Sequence, residues 1–511
     1  MAYRLFLALF MTNNLLHPDE YWQAIEVAYN YVYGGVQLSW EWQPTYRMRN
    51  TLYPFYLIIP LQILKTLGLD YGIAVRCCPY IAHCILVIIS DWYLWKVGIK
   101  IFGKNTARIT LIFYLFNRVY NEILIRCFGN SIESIANIIA FNYYLNQKDK
   151  FDGNTMKMTA LISISFMIRN TSPVGWIPLL LLKILYEKSL LPFIKAGFVI
   201  AIPVILFSIL LDSIYFGEFT VTSYNFLRAN ILEGLSKYFG TDEFHMYIIA
   251  FIPFYFTSAV PAFYVGLVSY TRDYRSKRLI PYLFYMIVFY VLIFSMIPHK
   301  EYRFMQPIIP FCFLIIGYFY NGCMKKYGKI VRIMIYLYII EQALVSYIIT
   351  KFHFSQWKVM KYLADEALAP HSIYSMQNVD LPYYTWSHRK HYGEFGKNRT
   401  RLTLFKKDPP FQLIKDGLPF PIIHDHDYNG CLNMLDQISQ EIIRPEYVIA
   451  FKFETGGHFY CFEACIKKFE SLGFYEKIKE FDAHLVGYRF RFGYYYKTRI
   501  LYKLKDIYQP F

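Results

Sequence analysis

Residues 71–95 read YGIAVRCCPYIAHCILVIISDWYLW, an apolar run longer than the ~20 residues that a helix needs to cross a lipid bilayer. Similar runs recur over residues 1–350, separated by short polar loops. In the whole chain of 511 residues, 56% are hydrophobic and only 18% are charged. Soluble domains carry about 25% charged residues. The sequence therefore predicts a polytopic α-helical membrane protein.

The apolar runs predict eleven transmembrane helices, several of them shorter than a full span. Short helices are tolerated in a membrane where they line a cavity, so their presence hints at an internal site. The predicted spans are residues 1–16, 71–95, 109–125, 132–145, 158–168, 173–186, 191–215, 246–270, 279–296, 304–322 and 331–349. Residues 52–69 contain two prolines and Lys65, and they are predicted to form an interfacial or re-entrant helix.

The distribution of positive charge predicts the orientation. Lys and Arg number 53 against 37 Asp and Glu, and with a cytoplasmic N-terminus (Arg4) they concentrate in the cytoplasmic loops. This distribution accounts for the positive excess without a nucleic-acid partner. The first loop, residues 17–70, and the tail, residues 351–511, then lie on the far side of the membrane.

The tail is more polar than residues 1–350. Strands are predicted at residues 448–453 and 485–492, and an amphipathic helix at residues 461–472. The predicted organisation is a multi-span membrane domain, residues 1–350, followed by a small α/β domain, residues 351–511.

The first far-side loop begins with HPDEYWQAIE, residues 17–26. An acidic pair after a proline is common at the start of a helix and needs no catalytic role. However, Asp19, Gln23 and Glu26 share one face of an otherwise aromatic helix. A carboxylate in such surroundings is suited to act as a general base for a hydroxyl nucleophile. The sequence leaves open whether Asp19 or Glu20 holds that position, because neighbouring helical residues point about 100° apart.

A second polar cluster, His299, Lys300, Glu301 and Arg303, lies between two predicted spans. An ordinary charged loop, or side chains reaching toward lipid headgroups, would explain it. Cations on the far side run against the positive-inside trend, which favours a phosphate-binding site. Further polar residues at span ends on that side are Arg126, Asn130, Glu133, Arg169, Thr171, Asn225, Arg228, Asn230 and His245. Polar residues within a membrane indicate a functional site by default.

The motifs HPDEYWQ (residues 17–23), LSWEW (38–42) and HKEYRF (299–304) resemble those of the dolichyl-phosphate-mannose-dependent mannosyltransferases of the ER, glycosyltransferase family 22. Further similar blocks, in the family's order, are RCFGNSIES (126–134), IRNTSPVGWIP (168–178), LDSIYFG (211–217), NFLRAN (225–230) and YFGTDEFHMY (238–247). The likeness covers about residues 1–350. Together with APHSIYSM (369–376) and DPP (408–410), the motifs look most like those of the enzymes that add the third mannose of the GPI anchor.

The resemblance implies a GT-C glycosyltransferase fold. It also implies an inverting transfer of mannose from dolichyl-phosphate-mannose, in alpha-1,2 linkage, to the second mannose of a GPI-anchor precursor in the ER lumen. No cofactor and no metal is expected. The expected partners are the lipid-linked donor, the GPI-precursor acceptor and the ER membrane, with protein partners unknown.

The resemblance also assigns roles to residues. The implied base is Asp19, with Glu20 as the substitute. The implied residues at the donor phosphate are His299, Lys300, Arg303, Arg126 and Arg169. The implied residues at the acceptor or the sugar are His17, Gln23, Trp40, Glu41, Trp42, Asn225 and His245.

Other functions stay open at this point. Within the family, the acceptor could be that of the fourth GPI mannosyltransferase or an N-glycan lipid precursor. A transporter would predict inverted repeats, which the sequence does not display, and would leave the tail without a role. A non-catalytic scaffold predicts that Asp19→Asn is harmless.

Overall fold

A computed structural model of the chain describes residues 1–10, 17, 19–36, 38–148, 150–236, 241–352, 359, 362, 372–375, 403–405, 436, 438, 440, 447–453, 460–487 and 494–504. Helices make up most of residues 1–352. They are α1 Ala2–Phe10, α2 Glu26–Tyr33, α3 Leu52–Thr66, α4 Gly72–Phe102, α5 Lys104–Phe116, α6 Arg118–Leu124, α7 Gly129–Asn146, α8 Gly153–Ile168, α9 Trp176–Glu187, α10 Leu190–Ala196, α11 Ile202–Phe216, α12 Thr222–Leu227, α13 Ile252–Phe256, α14 Val260–Ser276, α15 Tyr282–Met296 and α16 Ile309–Phe352.

Several of these helices are long and apolar enough to cross a membrane. Within the described residues there are four such stretches, or five if the bent pair α6–α7 counts as one. The four are Gly72–Phe102, Leu190–Phe216, Tyr247–Ser276 and Ile309–Ile349. The predicted spans 304–322 and 331–349 fall largely in one helix, α16, which is interrupted by non-helical dihedral angles at Tyr327. Other predicted spans coincide with shorter helices, such as α8 and α15, so the count of eleven stays a prediction.

Several charged side chains inside the helical part form ion pairs. Arg4 binds Asp91 through two hydrogen bonds, from Nε at 2.7 Å and from Nη2 at 2.8 Å. The Tyr114 hydroxyl donates to the same carboxylate at 2.8 Å. The cytoplasmic placement of Arg4 stays a prediction, and the structure adds that its charge is paired. Its side chain is buried because Asp91 on α4 compensates its charge and ties α1 to α4.

The bend between α6 and α7 turns the chain by 103°. The Asn117 side chain caps the start of α6 by accepting a hydrogen bond from the Tyr120 backbone N–H at 2.7 Å. Residues 125–128 separate the two helices, and Arg126 projects from this break with its side chain fully buried. The bend therefore places a cation inside the helical domain.

The first loop begins with a π-helical turn, Tyr21–Ile25, which continues into α2. Such a turn pairs residues i and i+5, so the helical spacing used to group Asp19, Gln23 and Glu26 does not hold. Glu26 is buried, whereas the Asp19 side chain is 25% exposed. The expected common polar face is therefore wrong for Glu26.

The far end of the first loop is anchored by Asp212 near the end of α11. Its carboxylate accepts hydrogen bonds from the Thr51 backbone N–H at 2.9 Å, the Thr51 hydroxyl at 2.7 Å and the Asn50 amide at 2.8 Å. The Thr222 hydroxyl adds a fourth bond at 2.7 Å. This buried carboxylate fixes the loop just before α3 begins.

The described part of the tail contains a five-stranded sheet in the order β2-β1-β3-β5-β4. Its elements are β1 Ser372–Ser375, β2 Thr403–Phe405, β3 Tyr447–Phe453, α17 Tyr460–Ser471, β4 Tyr475–Gly487 and β5 Tyr494–Leu504. β1 pairs in parallel with β2 and β3, and β5 pairs antiparallel with β3 and β4. Helix α17 and strand β3 lie where a helix and a strand are predicted, whereas β4 ends at Gly487 and residues 488–492 lie outside the described residues. The boundary between residues 350 and 351 stays a prediction.

We expect Asp212→Ala to lower the free energy of unfolding by at least about 2 kcal/mol, because four donors lose a buried charged acceptor. Thermal unfolding in detergent micelles measures the effect. Ser208→Ala is the matched control, since it removes only the acceptor of one further bond from Asn50, at 2.7 Å. Equal unfolding midpoints for the two variants would contradict the anchoring role.

Candidate active site

Asp19 and Arg303 join the first loop to the segment between α15 and α16. The Arg303 Nη2 group donates to Asp19 Oδ2 at 2.8 Å across 284 positions of sequence. The same guanidinium binds Glu301, from Nη2 to Oε1 at 3.1 Å and from Nε to Oε2. The two polar clusters that the sequence singled out are therefore one site.

Glu301 gathers three cationic or ionisable side chains around one carboxylate. Besides Arg303, His299 Nε2 lies 3.0 Å from Glu301 Oε1, and His17 Nε2 lies 3.7 Å from Glu301 Oε2. His17 also approaches Asp19, with Nδ1 3.4 Å from Oδ1. Glu301 belongs to the second polar cluster of the sequence, where no role was expected for it. Its position between His299 and Arg303 in the HKEYR motif is the sequence signal that could have pointed to it.

The electrostatics keep both carboxylates ionised. Burial acts to raise the pKa of Asp19, but its interactions with Arg303 and His17, and more weakly with Arg49, hold it well below its usual range. Burial likewise opposes ionisation of Glu301, and Arg303 with His299 outweighs it, so that the pKa of Glu301 is lowered. Asp19 is thus a charged but weak base while Arg303 contacts it.

Glu20, the substitute base, lies in different surroundings from Asp19. Its side chain is 0% exposed. Glu20 Oε2 accepts from Arg126 Nη1 at 2.9 Å, and Oε1 accepts from the Tyr80 hydroxyl at 2.6 Å. Only Asp19 of the two therefore has a partly exposed carboxylate.

The two further arginines of the expected phosphate site differ in their placement. Arg126 is fully buried and bound by Glu20 and Glu122, so its position does not favour the expected contact with a donor phosphate. Arg169 is partly exposed and pairs with Glu133, Nε to Oε2, at 2.8 Å. Its guanidinium lies over the Phe304 ring at 5.6 Å, and that of Arg303 lies over the same ring at 5.8 Å. The structure brings Arg169, but not Arg126, to the border of the Arg303 cluster.

Lys300 is buried among backbone carbonyls. Its Nζ donates to the carbonyl of Ile297 at 2.6 Å and to that of Asp242 at 3.0 Å. Burial lowers its pKa, against the pull of the nearby acidic residues. These two hydrogen bonds connect the loop that contains Lys300 to residue 242. They favour a structural role for Lys300 over the expected contact with phosphate.

The expected acceptor residues of the first loop form a polar group around Glu41. Glu41 accepts from Gln23 Nε2 at 3.4 Å and pairs with Arg49. Arg49 thus pairs with Glu41 and also contributes, more weakly than Arg303 and His17, to lowering the pKa of Asp19. Glu41 lies in the short 3₁₀ turn Trp40–Trp42. The turn therefore holds a carboxylate between two tryptophans in sequence.

The two indole rings have separate partners. Trp42 donates from Nε1 to the Trp22 carbonyl at 3.0 Å and stacks against Phe216. Trp40 is half-buried and meets Tyr46 edge-on. Trp40 therefore offers more surface to a sugar ring than Trp42 does.

The remaining expected residues lie on segments after α11. Asn225 on α12 donates to the Arg47 carbonyl at 3.1 Å and so contacts the first loop. His245 is exposed just before the π-helical turn Tyr247–Phe251. Residues 238–240 of the preceding block lie outside the described residues, as do residues 369–371, 376 and 408–410. Among the residues that the structure describes, no group of three or more His, Cys, Asp or Glu side chains could hold a metal ion.

The sequence matches known proteins over most of its length. A family model described as the Alg9-like mannosyltransferase family matches residues 1–388. The chain belongs to this family. It is 31% identical to GPI alpha-1,2-mannosyltransferase 3 of Bos taurus over 63% of this chain and 58% of that protein. It is 30% identical to the protein of the same name from Homo sapiens over 60% of this chain and 54% of that protein. The matched region thus spans less than two thirds of the length of either relative.

The fold is also shared with a solved structure. ArnT from Cupriavidus metallidurans bound to undecaprenyl phosphate superposes with a TM-score of 0.58 and 11% identity. The match covers 99% of this chain and 97% of that chain. At this level of identity the likeness establishes the fold alone, which is the GT-C fold that the resemblance implied.

The lowered pKa values of Asp19 and Glu301 lead to a prediction on stability. A carboxyl group with a lowered folded pKa stabilises the protein above its unfolded pKa, about 4, and loses this contribution only as pH falls through the folded value. We therefore expect wild type to unfold at a higher midpoint temperature than an Asp19→Asn/Glu301→Gln variant. This difference in midpoint should not shrink when the pH is lowered from about 7.5 to about 5.5. A margin that collapses at the lower pH would contradict the assignment. Glu480→Gln, at an exposed position on β4, provides the control.

Proposed function

We propose that this chain transfers mannose from dolichyl-phosphate-mannose to the second mannose of a GPI-anchor precursor, forming an alpha-1,2 linkage in the ER lumen. The names of the relatives support the acceptor class and the linkage. The neighbour bound to undecaprenyl phosphate supports a lipid phosphate as the carrier of the sugar. The observation that carries the proposal is the partly exposed Asp19 carboxylate, held ionised against Arg303.

In the proposed reaction the 2-hydroxyl of the acceptor mannose attacks the anomeric carbon of the donor on the face opposite the phosphate. The new carbon–oxygen bond forms while the bond to the phosphate oxygen breaks, and the configuration inverts. Asp19 takes the hydroxyl proton, and dolichyl phosphate leaves with the bonding electron pair. A single base suffices, in contrast to the two carboxylates of a glycosidase.

Arg303 is the proposed contact for the phosphate of the donor. A guanidinium binds phosphate oxygens through two parallel hydrogen bonds and stabilises the charge that develops on the leaving group. His299 supports it through Glu301, and Arg169 borders it through the shared ring of Phe304. Gln23, Trp40 and Glu41 are the proposed contacts for sugar hydroxyls and ring faces.

The pairing of Arg303 with Asp19 implies an order of events in this reaction. While Arg303 contacts Asp19, the carboxylate is too weak a base to accept a hydroxyl proton readily. A donor phosphate competes for the same guanidinium, and sharing that charge raises the basicity of Asp19. Donor binding thus precedes activation of the acceptor hydroxyl, which disfavours wasteful proton transfer.

The proposed setting is a multi-pass protein of the ER membrane, with a cytoplasmic N-terminus and the C-terminal region in the lumen. Because the donor carries its own phosphate leaving group, the proposed reaction uses no cofactor. A requirement for metal is likewise not proposed, since the Arg303 guanidinium is the proposed source of the positive charge that a phosphate needs.

Expression in cells that lack the third GPI mannosyltransferase tests the proposal. We expect wild type to extend the two-mannose GPI precursor and Asp19→Asn to leave it unextended, because the amide cannot accept the hydroxyl proton. Mass spectrometry of the GPI lipids measures the result. Glu480→Gln is the matched control and is expected to behave as wild type.

Two outcomes would contradict this proposal. If wild type is present in the ER and the two-mannose precursor persists, the acceptor is wrong, and N-glycan lipid precursors and the three-mannose GPI precursor are the next acceptors to assay. If Asp19→Asn extends the precursor as well as wild type does, Asp19 is not the base.

A short-chain polyprenyl phosphate is expected to inhibit the purified enzyme. We expect Arg303→Gln to raise its inhibition constant roughly tenfold or more, because the phosphate loses one charged hydrogen-bonding partner. Arg303→Lys keeps the charge but not the paired donors, and an intermediate effect is expected. The inhibition constant measures both. An unchanged constant in both variants would show that the phosphate binds elsewhere.

A further inference from the structure

Four buried charges of alternating sign run from the bend between α6 and α7 to the first loop. Arg126 donates from Nη2 to Glu122 Oε1 at 2.6 Å and from Nη1 to Glu20 Oε2 at 2.9 Å. Glu122 pairs in turn with Arg118. The four side chains are between 0% and 3% exposed. Such a row is stable in a low-dielectric interior only because its charges sum to zero.

Arg118, Glu122 and Arg126 follow one another at intervals of four residues. This spacing places the first pair on one face of α6 and the third side chain where the helix breaks. Glu20 is separated from Arg126 by 106 positions of sequence. The contact therefore fixes the first loop to the bend between α6 and α7.

Both oxygens of Glu20 are occupied by protein donors. While Arg126 holds Oε2, the Tyr80 hydroxyl holds Oε1 at 2.6 Å, and the Tyr21 hydroxyl lies 2.8 Å from that of Tyr80. Tyr80 belongs to α4, so Glu20 contacts two separate parts of the helical domain. These contacts leave the carboxylate enclosed, away from any surface that an acceptor hydroxyl could reach.

The orientation of Asp19 follows from that of Glu20. Neighbouring residues of a helix point about 100° apart. Once Glu20 is directed inward to Arg126 and Tyr80, Asp19 is directed to the border of the interior, where it meets Arg303. The contact between Asp19 and Arg303 thus depends on the contacts that Glu20 makes with Arg126 and Tyr80.

We infer that Glu20 is a positioning residue, which through Arg126 orients Asp19 for proton transfer and does not itself take the proton. This inference rests on the proposed transferase function. It also gives Arg126 a role different from the one expected at the donor phosphate: Arg126 compensates Glu20 and Glu122 inside the domain.

Variants that remove the charge of Glu20, of Arg126 or of both distinguish a positioning role of Glu20 from the role of a base. Glu20→Gln leaves the row with one excess positive charge, and Arg126→Gln leaves it with one excess negative charge. The double variant leaves Arg118 and Glu122 as a neutral pair. We expect each single change to lower kcat by roughly ten- to a hundredfold through misplacement of Asp19, with smaller changes in KM. The double variant is expected to recover most of this loss.

The pH profile provides a second readout. We expect the acidic limb of kcat against pH to keep its midpoint in Glu20→Gln, because the proton acceptor is unchanged. If the limb is lost in Glu20→Gln and the double variant is as inactive as the single one, Glu20 is the base and the inference is overturned.

A control distinguishes positioning from loss of fold. Arg4→Gln/Asp91→Asn neutralises another buried ion pair, between α1 and α4, and is expected to lower the unfolding midpoint while kcat per folded enzyme stays within about threefold of wild type. The failure of the proposed function would be visible separately, as full activity in Asp19→Asn. In that case the unfolding midpoints of the Glu20 and Arg126 variants would still report whether the two residues are coupled.

Discussion

Charges inside a helical domain without access to water must be compensated by opposite charges or by hydrogen-bond donors, and this constraint shapes the structure. Arg4 with Asp91, Glu20 with Arg126, and Glu133 with Arg169 each join segments that are distant in sequence. An unpaired partner would remain as an isolated buried charge, which costs several kcal/mol, of order 3–5. The pairs therefore specify which helices lie side by side, where apolar contacts alone would allow many arrangements.

The candidate active site departs from this rule in one respect. Asp19 is paired, but its side chain keeps partial exposure, whereas the adjacent Glu20 has none. The difference gives two neighbouring carboxylates different chemistry, one available to a substrate and one committed to the fold. The π-helical turn that follows, Tyr21–Ile25, is a rare geometry that is frequent at functional sites.

The sequence predicted the family, the helical class and the two clusters that meet at the site, because each depends on local motifs. It could not separate Asp19 from Glu20, since the distinction depends on Arg126, which is 106 positions away in sequence. The expected polar face failed at Glu26 because a π-helical turn changes the helical spacing, and composition gives no sign of one.

Arg303 shows how one side chain can serve both stability and the proposed reaction. Its guanidinium contacts Glu301 through two nitrogens and Asp19 through one. If a donor phosphate replaces Asp19, the two contacts to Glu301 can persist, so Arg303 need not leave its place or lose compensation of its charge. The exchange then changes the partner of Asp19 and little else. In this view Glu301 keeps the cation available to the phosphate, and the weaker attachment of Arg303 to Asp19 is what allows that carboxylate to become a base.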